Sequence, residues 1–341
     1  MTAARREVGL TQRIANETEL IQTYLVPLSA GAPGALGLCD DAAFFTPPAG
    51  CDIVVTTDPI VAGVHFLADE RADDIAWKAV AVNVSDLAAK GALPLGYTLA
   101  LAFPAPPEHA WMAQFAQGLA GAQKAFGCTL LGGDTDRTPG PLSVSVTIFG
   151  AVPSGTMVRR KGGAPGDAIF VTGTLGDAAL GLALHREPGL LADVLTSGDT
   201  GFLCGRYLRP APRVELAPLL HRYATAALDV SDGLAKDLGR LAAGADARAE
   251  VAFKSLPLSP PAQLMIEADA RWAQAVISGG DDYEILFSVP SDQMDEVQAA
   301  SATLPFNVSC IGRLREGAGV TVTNASGESM ALGIKGYDHF S

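Results

Sequence analysis

Six short acidic clusters, most of them beside glycine or hydroxyl residues, carry the chemistry this sequence could perform. The first is Cys39-Asp40-Asp41-Ala42-Ala43, where adjacent like charges call for a cation or for plain solvation. The second, Thr56-Thr57-Asp58, closes an apolar run and precedes Gly63 and His65. Two hydroxyls and a carboxylate are hard oxygen donors of the kind Mg²⁺ takes, and a strand-end turn is the plainer alternative. The third is Asp86, on a helix whose polar side also holds Asn83 and Lys90; a solvated face would explain it equally. The fourth is Gly132-Gly133-Asp134-Thr135-Asp136-Arg137. Paired glycines let backbone N–H groups approach phosphate oxygens, Asp134 could hold a metal and Arg137 could offset charge. The fifth, Asp229-Val230-Ser231-Asp232-Gly233-Leu234, delivers Asp229 from a strand and offers Ser231 or Asp232 as the cap of a helix. A helix N-terminus also favours anions. The sixth is Ser278-Gly279-Gly280-Asp281-Asp282-Tyr283-Glu284.

Each cluster has a bland reading alone. Their recurrence at strand ends and glycine turns points to a polycarboxylate site for several Mg²⁺ ions and a polyphosphate. The formal net charge of −13 agrees with divalent cations as intermediaries. Two unit charges about 4 Å apart repel by roughly 4 kcal/mol at an effective dielectric of 20, so bare carboxylates would expel a triphosphate. The same charge excludes nucleic acid as a partner, because no basic stripe is present. The chain contains no GxxxxGK[ST], HExxH or GxSxG, which closes the P-loop, zincin and serine-hydrolase routes. The five histidines are dispersed, and His65 alone sits within a motif.

The elements that must position these groups alternate strand-like and helical patterns, an α/β (α+β) arrangement. Residues 53–57, 97–103, 129–131 and 142–149 read as strands in the first half. Helices are expected from Asp73 or Asp74 to Gly91 and over residues 111–126. Residues 152–163, rich in Pro, Gly, Ser and basic side chains, mark a boundary between domains 1–152 and 153–341. The second half continues with strands at 166–172, 226–230 and 283–289 and helices at 173–184 and 233–243. The glycine-rich residues 197–205 could be mobile, which the sequence alone does not decide. Five scattered cysteines without a CxxC pair imply reduced thiols and a cytoplasmic location. The uncharged stretch 138–158 is broken by Pro139, Pro141, Gly150, Pro153 and Gly155 and alternates like a strand, so no membrane span is expected.

Taken in order, the motifs resemble the thiamine-monophosphate kinases, within the superfamily of aminoimidazole ribonucleotide synthetases. The resemblance rests on Asp40-Asp41-Ala42, Thr57-Asp58 with Gly63-Val64-His65-Phe66, the run from Ala81 to Ala89, and Gly132-Gly133-Asp134-Thr135. It continues through Pro165-Gly166-Asp167, Val171-Thr172-Gly173, Leu175-Gly176-Asp177, the Asp229 and Gly279 clusters, and the ending Gly336-Tyr337-Asp338-His339-Phe340. It implies two α/β domains, N-terminal domains paired in a homodimer, and ATP-dependent conversion of thiamine monophosphate to thiamine diphosphate without a phosphoenzyme.

By the same resemblance, Asp41, Thr56, Thr57, Asp58, Asp86, Asp134, Asp229 and Asp232 would hold the Mg²⁺ ions. Gly133, Asp134, Arg160 and Ser231 would contact the nucleotide, and His65, Asp281 and Tyr337 the thiamine phosphate. Asp58, Asp86, Asp134 and Arg160 would carry the catalysis. The chain departs from the usual pattern at Cys39, where Gly is common, at Pro59, at Asp136 in place of Thr, and at Asp281 in place of Glu. The rival readings are a relative that makes an iminophosphate or selenophosphate, a metal-dependent phosphatase, and a nucleotide-binding protein without turnover.

Overall fold

The computed structural model describes residues 12–324 and 326–330. The chain forms two compact units. One comprises the described residues up to Val84 together with Pro94–Ala151; the other comprises Ser85–Leu93 and the described residues from Val152 onward. In chain order the elements begin with α1 (Glu17–Leu20), β1 (Cys51–Val61), α2 (Ala72–Ala89), β2 (Leu93–Phe103), α3 (His109–Phe126), β3 (Thr129–Arg137) and β4 (Ser143–Pro153). They continue with β5 (Ala168–Thr172), α4 (Asp177–Arg186), α5 (Ser197–Leu208), α6 (Ala217–Tyr223), β6 (Ala226–Asp229), α7 (Leu234–Gly244) and β7 (Arg248–Ala252). Last come α8 (Pro260–Ala268), α9 (Trp272–Ser278), β8 (Ile285–Val289), α10 (Met294–Ser301), β9 (Val308–Arg315) and β10 (Gly319–Thr323).

The first unit is built on a sheet of order β1-β4-β2-β3. Edge strand β1 runs through Pro59 to Val61, so Thr56-Thr57-Asp58 lies within the strand and not at its end as expected. Pro59 lacks an N–H, which an edge strand tolerates and a central one does not. Strand β3 likewise continues past the paired glycines, where a turn was expected. It runs parallel to β2, with Gly133 opposite Leu99 and Asp134 opposite Ala100. The pairing overrides the low strand propensity of Gly-Gly-Asp.

Helix α3 buries Met112, Phe115, Leu119, Ala122 and Phe126, a three-to-four spacing that makes one apolar face. It stops at Gly127, whose φ of +69° suits glycine. A Cβ at Gly118 would lie 2.3 Å from the Asp73 carbonyl oxygen, so only glycine permits α3 to approach the start of α2 this closely. Helix α2 departs from the expected one-sided pattern. Asn83 and Ser85 are both fully buried, and their polar atoms are met by internal hydrogen bonds instead of water.

The second unit is a six-stranded sheet of order β10-β7-β9-β5-β8-β6. Among its described strands only β10 and β7 pair in parallel; β7–β9, β9–β5, β5–β8 and β8–β6 are antiparallel. Alternation along β5 explains why both faces are covered. Ile169 and Val171 enter one core with α4, α7 and α9, while Ala168 and Phe170 enter another with α6, α10 and the end of α2. Phe170 stacks on Phe287 of β8, centroids 5.6 Å apart.

The glycine-rich residues 197–205 form most of α5. A capping box closes its start: Asp199 N–H donates to Thr196 Oγ1 (3.2 Å) and Thr196 N–H to Asp199 Oδ2 (2.9 Å). No described helix is long and apolar enough to cross a membrane, and the uncharged stretch 138–158 contains β4. None of the five cysteines is in a disulfide.

Candidate active site

In the first unit the Thr56–Asp58 strand is held by a residue the sequence reading left on a solvated face. The Asp58 N–H donates to Asn83 Oδ1 (2.8 Å), and Asn83 Nδ2 donates to the Ala79 carbonyl (3.0 Å). The buried amide thus fixes the backbone of Asp58 while its side chain stays exposed. Thr57 Oγ1 donates to the Val146 carbonyl (3.1 Å) and accepts from Thr147 Oγ1 (2.9 Å). That hydroxyl is engaged with β4, and one remaining lone-pair direction is what it can offer a metal. His65 follows in a tight turn. Its Nδ1 accepts the Val61 N–H (3.0 Å), which places the proton of the neutral ring on Nε2. The buried Lys78 ammonium donates to the His65 carbonyl (3.0 Å) and steadies the same turn.

Asp41, Gly133 and Asp134 converge on one cavity of about 210 Å³, floored by Leu99 and Leu131. Asp40 lies beside them, and both carboxylates of that pair are exposed. Gly133 is required by the strand geometry: a Cβ there would sit 1.8 Å from the Leu99 carbonyl oxygen. Gly133→Ala should therefore push β2 and β3 apart. The expected cost is about 1–3 kcal/mol, with a raised KM for nucleotide, read by thermal melting and steady-state kinetics. Unchanged values of both would contradict this placement.

In the second unit, Ser85 and Asp86 at the end of α2 face Asp229 at the end of β6. Ser85 Oγ donates to Asp229 Oδ2 (2.7 Å). Burial, and then the nearby Asp86 charge, push the Asp229 carboxyl up to about 7. Lys90 Nζ donates to the Ala227 carbonyl (2.8 Å); burial pulls this ammonium below its usual range and Asp229 opposes that pull. The Ala227 N–H donates to the Arg159 carbonyl (3.0 Å), which ties the segment bearing the exposed Arg160 to β6.

The expected Ser231 or Asp232 cap is absent. Gly233, with φ +110°, is the N-cap of α7, and no side chain caps it. The reach is reversed: Asp237 in the first turn of the helix accepts the N–H groups of Ser231 (3.1 Å) and Asp232 (3.0 Å). Asp232 is also paired with Lys236 at 3.2 Å and with Arg240.

The Asp229 and Gly279 loops are stitched together by backbone. Asp281 N–H donates to the Ser231 carbonyl (2.9 Å), Tyr283 N–H to Val230 (2.9 Å) and Val230 N–H to Glu284 (2.8 Å). Asp281 and Tyr283 both hold positive φ, 70° and 51°, and Tyr283 Oη donates to Asp281 Oδ1 (3.3 Å). Ser231 and Asp281 are therefore adjacent.

The other acids of that cluster turn inward. Asp282 accepts the N–H groups of Gly176 (2.7 Å) and Ala178 (3.3 Å), and burial pushes its carboxyl up to about 8. Glu284, fully buried, accepts from Thr172 Oγ1 (2.7 Å), Arg206 (2.6 Å) and Arg213 (2.7 and 2.5 Å). These two acids brace the fold and are not free to serve a ligand. Tyr337 and the Gly336–Phe340 ending lie outside the described residues.

Two family models match the chain. They are "AIR synthase related protein, N-terminal domain" over residues 39–152 and "AIR synthase related protein, C-terminal domain" over 164–324. Curated relatives narrow the match. The thiamine-monophosphate kinase of Caulobacter vibrioides is 42% identical over 89% of this chain and 86% of its own length. That of Escherichia coli K12 is 40% identical over 90% of this chain and 92% of its own. The chain belongs to the thiamine-monophosphate kinase family.

Solved members of the family share the fold. A thiamine-monophosphate kinase from Stenotrophomonas maltophilia has a TM-score of 0.77 at 42% identity, covering 86% of this chain and 90% of its own. AaThiL complexed with AMPPCP and TMP has a TM-score of 0.75 at 30% identity, covering 97% of this chain and all of its own. The hydrogenase maturation protein HypE of E. coli, at 20% identity and TM-score 0.76, has the same fold.

Among the described residues, no three Asp, Glu, His or Cys side chains gather closely enough to hold a metal ion by themselves. Mg²⁺ does not require three. It keeps several of its waters and takes one or two carboxylates together with substrate phosphate oxygens. In the first unit the exposed oxygen donors of Asp41, Asp58 and Asp134, and in the second the mutually repelling Asp86 and Asp229, each have the chemistry that such an ion needs.

Sequence reasoning missed Asn83 and misjudged Glu284. A lone Asn in an otherwise apolar helical run was the available signal for the first. An acid directly before the apolar strand Ile285–Val289 was the signal for the second.

Proposed function

We propose that this chain transfers the γ-phosphoryl group of ATP to the phosphate of thiamine monophosphate, giving thiamine diphosphate and ADP. The observation that carries the reading is 42% identity with a curated thiamine-monophosphate kinase across 86% of that enzyme's length. The meeting of Asp41, Gly133 and Asp134 at one cavity supports it, since carboxylates beside an open glycine backbone suit a metal-bound polyphosphate.

The acceptor is a phosphate oxygen, already nucleophilic at neutral pH. The residues therefore have little need of a general base; their task is positioning and charge balance. Asp41, Asp58, Asp86, Asp134, Asp229 and Asp232, with the hydroxyls of Thr56 and Thr57, would hold Mg²⁺. Bound there, Mg²⁺ supplies positive charge against the donor and acceptor phosphate oxygens. The backbone at Gly133 and Ser231, with Arg160, orients the nucleotide, and Arg160 adds a fixed cation. His65, Asp281 and Tyr337 seat the thiamine phosphate.

The exposed edge strand β1, which presents Ile53 (37% exposed) and Val55 (58%) on one side, supports pairing of two copies in a homodimer. Five unpaired thiols favour a cytoplasmic location.

His65→Ala should raise the KM for thiamine monophosphate about tenfold or more with a smaller effect on kcat. This is the loss of one hydrogen bond to a charged group. An unchanged KM would remove His65 from the acceptor site. The overall reading is tested by incubating purified protein with ATP, Mg²⁺ and thiamine monophosphate. One thiamine diphosphate should form per ADP, and a chelator should abolish both. ADP without thiamine diphosphate would move the acceptor to another relative's chemistry.

A further inference from the structure

We propose that Lys90 is a positioning residue: a built-in counter-cation for the Asp86–Asp229 pair that sets how tightly this part of the site takes Mg²⁺. The inference rests on the reading of Asp86 and Asp229 as metal ligands.

One hydrogen bond holds the ammonium, and three features of the chain place the residue that bears it. Lys90 follows Asp86 by four residues, in the turn directly after the end of α2. Its Nζ donates to the Ala227 carbonyl (2.8 Å), two residues before Asp229 on β6. Its own carbonyl accepts the Val158 N–H (3.2 Å), so the same residue anchors the segment that leads to Arg160. Directly after it, Gly91 turns the chain with φ +69° against the His221 ring, where a Cβ would lie 2.4 Å from Nε2. Lys90 is therefore held along its backbone and at Nζ, beside β6.

The charges act on one another. Asp229 and Asp86 are the opposite charges felt by Lys90, and Lys90 in turn is felt by Asp229. Two carboxylates brought together in a buried place repel unless a cation lies between or beside them. A tethered ammonium fills that need when no metal is bound, and it opposes an arriving dication for the same reason. The carboxylates alone then hold a dication more weakly than they would without Lys90, and the anionic nucleotide strengthens the binding. A lysine at a helix C-terminus can also serve only to complement the helix dipole, which would alter stability slightly and metal affinity not at all.

Lys90→Met, which keeps all but one atom of the side chain's length and removes its charge, separates these roles. The probe is Mn²⁺ binding to the full chain without nucleotide, followed by water-proton relaxation, alongside the Mg²⁺ concentration that half-saturates turnover. The expected result is Mn²⁺ binding tightened about tenfold, as expected from removing a fixed positive charge near a dication. The half-saturating Mg²⁺ concentration should fall in parallel, while Lys90→Arg keeps the wild-type values. Lys90→Gln, which can retain the bond to the Ala227 carbonyl, serves the same comparison should the Met variant not fold. If the wild type binds Mn²⁺ and the neutral variants bind it equally or more weakly, the counter-cation role is overturned and the metal ligands stand. Absence of Mn²⁺ binding to the wild type overturns both.

Discussion

Asp58→Asn, Asp86→Asn and Asp134→Asn should each lower kcat by about 10²–10³ while the fold is retained. The amide keeps the size of the carboxylate and removes its charge. Losing one preorganised electrostatic contact to the transferring phosphoryl group costs about 3–4 kcal/mol in enzymes where this has been measured. The fold survives for reasons specific to each position. Asp58 and Asp134 are exposed, and the backbone of Asp58 is held by Asn83 whatever its side chain carries. Asp86 is half-buried beside Asp229, and removing its charge relieves a repulsion. The measurement is steady-state turnover across a Mg²⁺ titration, with circular dichroism as the control on folding. Near-normal turnover for all three at saturating Mg²⁺ would sink the metal-cluster account.

Glu284→Ala should give the largest loss of stability, about 3–5 kcal/mol. The carboxylate is fully buried and answers two guanidinium groups, Arg206 at 2.6 Å and Arg213 at 2.5 Å, whose side chains are 12% and 16% exposed. Removing it leaves two like charges facing each other away from water. Breaking a buried pair from one side is far more damaging than replacing the whole pair. Asp177 cannot substitute, since its nearest approach to Arg206 is 3.8 Å and it already accepts from Thr174 and Ser259. A second-unit melting midpoint lowered by roughly 10 °C would match this energy. Glu284→Gln should fall between wild type and Ala, because the amide oxygen can still accept one of the bonds. A change below about 1 kcal/mol for the Ala variant would show that water or a neighbouring acid compensates the arginines.

Much of this molecule was legible in the chain because its signals are local. The apolar spacing of α3 and its Gly127 stop, and the alternation of β4, could be read from short windows. The two β-edge errors had one cause. Pro59 and Gly132-Gly133 read locally as strand breakers, and only the pairing of β3 with β2 and the edge position of β1 show why the strands continue. The site divides in the same manner. The acids were visible, but not which of them serve ligands and which serve the fold. Asp281 and Asp282 are neighbours in sequence, yet one sits beside Ser231 and the other is sealed under α4 by two backbone N–H groups. Nothing local distinguishes them, because the difference is made by residues about a hundred positions away. Residues 197–205 show a different limit: their three glycines hide a helix that the Thr196–Asp199 capping box, in the same few residues, specifies.

The central claim is direct transfer from ATP to thiamine monophosphate, and a single-turnover reaction tests it most directly. Protein in excess over γ-labelled ATP, with Mg²⁺ and saturating thiamine monophosphate, should deliver the label into the terminal phosphoryl group of thiamine diphosphate. No labelled protein should appear at any time point. Label released as inorganic phosphate, or trapped on the chain before thiamine diphosphate forms, would contradict the account.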